Sequence, residues 1–218
     1  MKKRYKIAYV TSRNALDKRE WSGTLYFMLQ SLKDTGHNVI FVGPYKPRLA
    51  IFILKVIRKL VHIFRKKNYN ISHSYFLAIL YKFRFEKIIR REKPDIVISA
   101  AASIETSLLK LNIPMITIGD ITFRLLINYY TNYMNLAKFA IREGEAIEQL
   151  NYDNSDAIVI SSEWAAKSAM VHYNVPQEKI NIISYGGNLD LVPQLEEINN
   201  KSIYPLNILF LGVEWYRK

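Results

Sequence analysis

The sequence predicts a doubly wound α/β domain: about six mostly parallel strands with helices on both faces. Three observations carry that prediction. Short Val/Ile-rich runs recur along the chain without the alternation of a half-exposed strand, and a sheet covered on both sides requires this. Stretches with apolar residues at helical spacing separate these runs. The first three elements follow as strand, helix and strand within residues 6–44, a crossover unit that builds parallel sheets with right-handed connections.

KIAYVTS (6–12) reads as the first strand, short, apolar and partly β-branched. In SGTLYFMLQSLKDTG, Leu25, Met28, Leu29 and Leu32 fall at i, i+3, i+4 and i+7, one face of a helix. Ser22 suits its N-cap and Gly36 its left-handed stop. NVIFVGP (38–44) is the second strand. PDIVISA (94–100), IPMITIGD (113–120), DAIVISS (156–162) and KINIISYGG (179–187) continue the series as strands buried on both faces. Helices are expected over 103–111, 123–149 and 163–173. Residues 188–205 hold two prolines and no apolar periodicity, which reads as a linker. LNILFL (206–211) then opens a new strand and Gly212 turns it. The expected organisation is a domain at 1–187, a linker at 188–205 and the start of a second domain at 206–218.

Half of the 218 residues are hydrophobic and 23% are charged, so the chain forms a core. The absence of cysteine excludes a disulfide framework, a thiolate zinc site and a catalytic thiol, and fits a reducing cytoplasm. The N-terminus MKKRYKIAYVTSR lacks the long apolar core and small-residue cleavage site of a signal peptide. No apolar run reaches the ~18–20 residues that span a bilayer; LAIFIL stops at Lys55 and YFLAILY at Lys82.

The net charge of +12 is concentrated. Residues 46–92 hold thirteen Lys or Arg against two Glu, a net of +11, which implies an anionic partner. Within this segment Lys55, Arg58, Lys59, His62, Arg65 and Lys66 recur at three- and four-residue spacing beside a broad apolar surface. That pattern fits an interfacial helix on an anionic membrane, with these cations at headgroup level. It also fits a core helix with a solvated basic face. No DNA- or RNA-reading motif accompanies the charge, so nucleic acid is not expected. The expected location is cytoplasmic, peripheral to the inner face of the membrane.

Several chemistries are absent. There is no G-x-G-x-x-G, P-loop or G-x-S-x-G motif. The four histidines, His37, His62, His73 and His172, lack metal-ligand spacing, and no metal is expected. In an open α/β sheet, ligands sit beyond the C-terminal strand ends, and three such positions stand out. Ser22 and Gly23 offer backbone N–H groups at a helix start, or serve as an N-cap with a turn glycine. Asp120 ends a strand, where it can bind a sugar hydroxyl, orient a base or cap the next helix. In SSEWAAKS, Ser162 suits a helix cap and Trp164 reads as core. Glu143, Glu145 and Glu148 read as a solvated helix face.

Four segments in order, WSGTLYFMLQSLKDTGHNVIFVGP, PMITIGDITF, SSEWAAKSAMVHYNVPQEKINIISYGGNLD and LFLGVEWYRK, resemble the N-terminal half of a GT-B glycosyltransferase of the retaining family 4 group. The last looks like the G-x-x-W-x-R-K-G opening of that family's C-terminal domain. The resemblance implies two Rossmann-like domains facing across a cleft, the N-terminal one binding acceptor and the C-terminal one binding a nucleotide-sugar. No metal is implied, because basic side chains and helix dipoles stabilise the departing diphosphate. By this resemblance Gly23 lies near the donor phosphates, with Arg217 and Lys218 on the donor diphosphate. Asp120 holds the catalytic position where many relatives place a histidine, and Ser22 and Thr122 contact the acceptor. The family's E-x7-E donor carboxylates are not within the 218 residues.

The expectation is therefore a hexosyltransferase acting from a nucleotide-sugar on a saccharide or lipid-linked acceptor, with a C-terminal donor domain missing or supplied separately. A non-catalytic membrane-associated acceptor-binding module with a separate donor subunit is the alternative, and a nucleotide-binding protein of unrelated chemistry is a third.

Overall fold

In a computed structural model the described residues are 3–192, 194–196 and 204–205. The expected second-domain strand at 206–211, Gly212, Arg217 and Lys218 lie outside them. The chain divides into two compact units, Met1–Gly186 and Gly187–Lys218, and the fold below is that of the first.

Six strands, β1 (Lys6–Thr11), β2 (Asn38–Val42), β3 (Ile96–Ala100), β4 (Met115–Gly119), β5 (Ala157–Ile160) and β6 (Ile180–Ile182), form one sheet in the order β2-β1-β3-β4-β5-β6. Every pairing is parallel, with Ile7 opposite Val39 on one side and Ile96 on the other. Alternate residues of a strand face opposite sides, and both sides are covered. Ala8, Val10 and Val97 join one core cluster, while Ile7, Tyr9, Ile98 and Ala100 join another with Leu25 and Leu29 of helix α1 (Thr24–Asp34). A third cluster packs α7 (Glu163–Tyr173) on β5. This is the doubly wound α/β class.

The predicted face of α1 holds: Leu25 and Leu29 are fully buried, and Met28 and Leu32 pack beside them. Its cap does not. Glu20–Gly23 forms a 3-10 turn in which Trp21 (φ 49°) and Ser22 (φ 54°) are left-handed, and Gly23 (φ 83°) takes the N-cap position. Ser22 cannot cap a helix that starts one residue further on.

The β2–β3 crossover carries two long helices, α2 (Arg48–Arg65) and α3 (Tyr75–Glu92). The latter buries Leu77, Tyr81, Phe85 and Ile89 in the main core, whereas the former buries only Ala50 and Leu54. The helix expected over 103–111 is one turn, α4 (Ser103–Thr106). Thr106 and Ser107 turn their hydroxyls back to the carbonyls of Ala102 and Ile104, which competes with propagation, and Leu109 is drawn into the core. The helix expected over 123–149 is broken into α5 (Phe123–Leu126), a 3-10 turn and α6 (Lys138–Asp153). Asn128 (φ 60°) and Asn135 (φ 53°) take left-handed conformations between them, as asparagine does more readily than most residues.

Three further expectations are corrected by packing. β6 is a short edge strand with Ile182 half exposed, not a strand buried on both faces. Trp164 is 51% exposed, against the ring of Tyr129, and is not core. Glu143, Glu145 and Glu148 are not a solvated face. Glu143 accepts hydrogen bonds from the Tyr69 hydroxyl (2.9 Å) and the Tyr75 backbone (2.6 Å), Glu145 pairs with Arg124 (3.0 Å), and Glu148 is buried. The face of α6 that carries them turns inward because α3 and α5 pack on it.

Polar side chains tie the layers together inside. Thr106 donates to Asn151 (2.7 Å) and lies 2.8 Å from Ser99, and Thr117 lies 2.8 Å from Ser155, all of them buried. Paired in this way such groups do not carry the cost of an orphaned buried dipole. Glu105 on α4 is one exception. It is 4% exposed and its Oε2 has no hydrogen-bond partner among the described residues. Burial pushes its carboxyl up to about 8.

Two predictions come from this packing. A Cβ on Gly144 of α6 would lie 2.1–2.5 Å from ring carbons of Phe123 on α5, too close for real atoms. Gly144→Ala is expected to cost on the order of 1–3 kcal/mol by overpacking. In urea unfolding, adding Phe123→Leu should return part of that loss, and strict additivity would contradict the contact. Glu105 is protonated in the fold and ionised in the unfolded chain between about pH 4.5 and 8. The stability this group contributes is therefore full below 4.5 and lost as pH rises through 8. Glu105→Gln should match wild type near pH 4.5 and exceed it by on the order of 2–4 kcal/mol at pH 8, read from urea midpoints at the two pH values.

Candidate functional site

A crossover leads each parallel strand into a helix that runs back across the sheet, so the helix starts gather at the C-terminal strand ends. Here β1 passes to β2 on one side while β3 lies on the other. This change of direction opens a crevice between the loops that follow β1 and β3. Ser12, just past β1, donates to the carbonyl of Ala101 just past β3 (2.7 Å), joining the two loop bases. Ala101 is itself left-handed (φ 47°).

The turn Trp21-Ser22-Gly23 forms one wall. Two consecutive left-handed non-glycine residues are sterically costly, and the turn is held from outside. Arg13 pairs with Glu20 at 2.8 Å, and the Trp21 ring meets Tyr185 edge-on at 5.7 Å. A Cβ on Gly23 would sit 3.2 Å from the Lys18 carbonyl and 3.3 Å from the Phe27 ring, in a φ that side chains avoid. The result is a tight bend that delivers the start of the eleven-residue α1, with its positive dipole end, to the crevice.

Asp120 is exposed immediately after β4. Its charge pushes the Tyr185 hydroxyl and the Glu148 carboxyl up, adding to the larger effect of burial on both. Asp120, Tyr185 and Trp21 thus converge on one patch. Two residues on, Thr122 is fully buried. It caps α5 by accepting from Leu125 N, and its hydroxyl lies 2.7 Å from Ser168 on α7. The resemblance points it at the acceptor, but as folded this hydroxyl reaches no open surface.

Behind the patch lie groups that sequence reasoning missed. Glu148 accepts from the Tyr152 hydroxyl (2.8 Å), the Ser103 side chain and the Phe123 backbone, so one buried carboxyl ties α6 to the starts of α4 and α5. Burial holds it above the usual carboxylate range. His73 lies tilted against Phe123 (4.7 Å between ring centroids) and faces Tyr133 edge-on (5.8 Å), partly buried, with its Nδ1 buried and unpartnered among the described residues. Burial pulls it down to about 4, so it is neutral at physiological pH. Its position 47 residues before Asp120 left no sequence signal for their proximity to the same loop.

The crevice residues form an open face. Two concavities, about 380 and 540 Å³, lie at the opposite edge of the sheet, by Lys6 and Asp95 and by Met115 and Asp156. There the polar groups are engaged with one another: Asp95 accepts from Lys6 N (2.7 Å) and Asp156 from Met115 N (2.8 Å). Among the described residues no group of three or more His, Cys, Asp or Glu side chains is gathered as a metal site. Lys55, Arg58, Lys59, Arg65 and Lys66 are exposed on α2 and at its C-cap, apart from the crevice residues in sequence and in the contacts they make.

No curated protein matches the chain by sequence. Among solved structures the chain is similar to UDP-N-acetylglucosamine 2-epimerase from Rickettsia bellii, with 14% identity, a TM-score of 0.47, and coverage of 82% of this chain and 44% of that one. It is also similar to UDP-GlcNAc 2-epimerase from Methanocaldococcus jannaschii (15%, 0.46, 81% and 45%). A third is a glycosyltransferase from Rickettsia africae ESF-5 (17%, 0.40, 84% and 43%). Likeness at this level concerns the fold alone. The chain spans less than half the length of each. The family model described as Glycosyltransferase Family 4 matches residues 24–191, more than three quarters of the sequence, from the start of α1 past β6, and the chain belongs to that family.

Proposed function

We propose that this chain is the acceptor-binding half of a retaining glycosyltransferase, which moves a hexosyl group from a nucleotide-sugar to a saccharide or lipid-linked acceptor. The observation that carries the reading is the convergence of the Trp21-Ser22-Gly23 bend with Asp120 at the switch-point crevice, within a chain of Glycosyltransferase Family 4. Departure of a nucleoside diphosphate builds negative charge, which helix N-termini and cations stabilise without a metal. In this reading Gly23 lets the donor phosphates approach the start of α1. Arg217 and Lys218, with the donor half they introduce, supply the cations. Ser22 and the Asp120 carboxylate face the acceptor, with Asp120 positioned to accept a proton or a hydrogen bond from its hydroxyl. Glu148 and His73 hold the loop that bears Asp120 and do not touch substrate.

Transfer is measured as nucleoside diphosphate release from a panel of uridine-, guanosine- and thymidine-diphosphate sugars, with oligosaccharide or lipid-linked acceptors. The 218-residue chain alone is expected to show little or no transfer, because most of the leaving-group stabilisation lies in the donor half. Activity should appear when that half is supplied in the same chain or by a co-purifying subunit. In the active assembly Asp120→Asn should lower kcat by on the order of 100-fold while leaving the unfolding midpoint unchanged. Transfer by the 218 residues at an ordinary enzymatic rate, or an unaffected kcat in Asp120→Asn, refutes the assignment.

A further inference from the structure

Helix α2 does not behave as a packed surface helix. At about 100° per residue, its side chains sort into three arcs. A narrow seam of Ala50, Leu54 and Val61 faces the core. Beside it lies a wide apolar arc that no other described residue covers: Leu49 is 73% exposed, Phe52 65% and Phe64 80%, with Val56, Leu60 and Ile63 between them about half exposed. The remaining arc holds Lys55, Arg58, Lys59, His62 and Arg65, with Lys66 at the C-cap, all exposed. An amphipathic helix of a water-soluble domain buries its apolar arc. This one turns most of it outward.

We infer that α2 docks on an anionic lipid surface, lying along the interface with the apolar arc in the acyl boundary and the cationic arc at headgroup level. Charge complementarity selects this occupant. No acidic residue occurs between Lys46 and Phe85. Among the described residues no carboxylate pairs with Lys55, Arg58, Lys59, Arg65 or Lys66. A second copy seated on the same face would bring two rows of like charge together. A soluble polyanion would satisfy the cations and leave the phenylalanines in water. A membrane interface takes both arcs at once. The helix is about 27 Å long, and no helix among the described residues is long and apolar enough to cross a bilayer, so α2 lies on the membrane and does not span it.

The inference stands independently of the transfer reaction and is tested without it. The 218-residue chain is sedimented with vesicles of phosphatidylcholine alone and with about one third phosphatidylglycerol, at low and high salt. Binding is expected to the anionic vesicles and to fall steeply with salt. Removing four cations (Arg58, Lys59, Arg65 and Lys66→Gln) should weaken partition on the order of 100-fold. The triple variant Phe52, Leu60 and Phe64→Ser should weaken it at least tenfold, with circular dichroism unchanged because these side chains are already exposed. Equal binding to both vesicle types overturns the proposal. So does full binding by the triple Ser variant, tighter capture by a duplex DNA of equal charge, or sedimentation velocity showing a dimer that the triple Ser variant dissolves.

Discussion

The structure depends on the backbone pairing of six parallel strands. A parallel pair cannot close through a tight turn, so each strand must be followed by a return crossing over one face of the sheet. Right-handedness of those crossings then distributes helices to both sides. β1 lies inside this sheet next to the edge strand β2, with Tyr9 and Val10 at 0% exposure and a neighbouring strand on each side. Because every crossing starts at the same end, the helix starts and left-handed turns collect there. The crevice is a consequence of chain direction, and the residues lining it are those the turns happen to present.

Holding loops in costly conformations requires support from behind. Glu148 is the clearest case: a buried carboxyl accepting three hydrogen bonds from three elements. Removing one partner of such a set leaves the others unsatisfied in a low-dielectric interior, which costs more than the bond itself contributes. Gly144 plays the steric counterpart by leaving room for the tip of the Phe123 ring against α6. His73 then fills the space between Phe123 and Tyr133. Asp120 is exposed just beyond this layer.

Helix α2 stands apart from that logic. It occupies a crossover, yet α3 does the covering of the sheet that a crossover helix normally supplies. Freed from that duty, α2 keeps a thin attachment to the core and presents a face whose apolar and cationic arcs suit a boundary between water and hydrocarbon. The same domain thus carries the loops at the C-terminal strand ends and, on α2, a second surface of different chemistry.

Strand existence and the parallel class were legible because a sheet covered on both faces leaves unbroken Val/Ile runs bounded by turn residues. The α1 face was legible from Leu25 and Leu29 at one helical turn, and the charge on α2 from its lack of any acid. Asp120 could be placed at a strand end, and Gly23 at a helix start, from local spacing alone. The break at Asn128 and Asn135, the inward turn of Glu143 and Glu148, the burial of Thr122 and the meeting of His73 with Phe123 could not. Each depends on which elements pack together across long separations, as with Tyr75 and Glu143, 68 residues apart. Local sequence sets periodicity and turn chemistry. Whether a carboxylate faces water or the core is decided by neighbours that only the folded chain brings near.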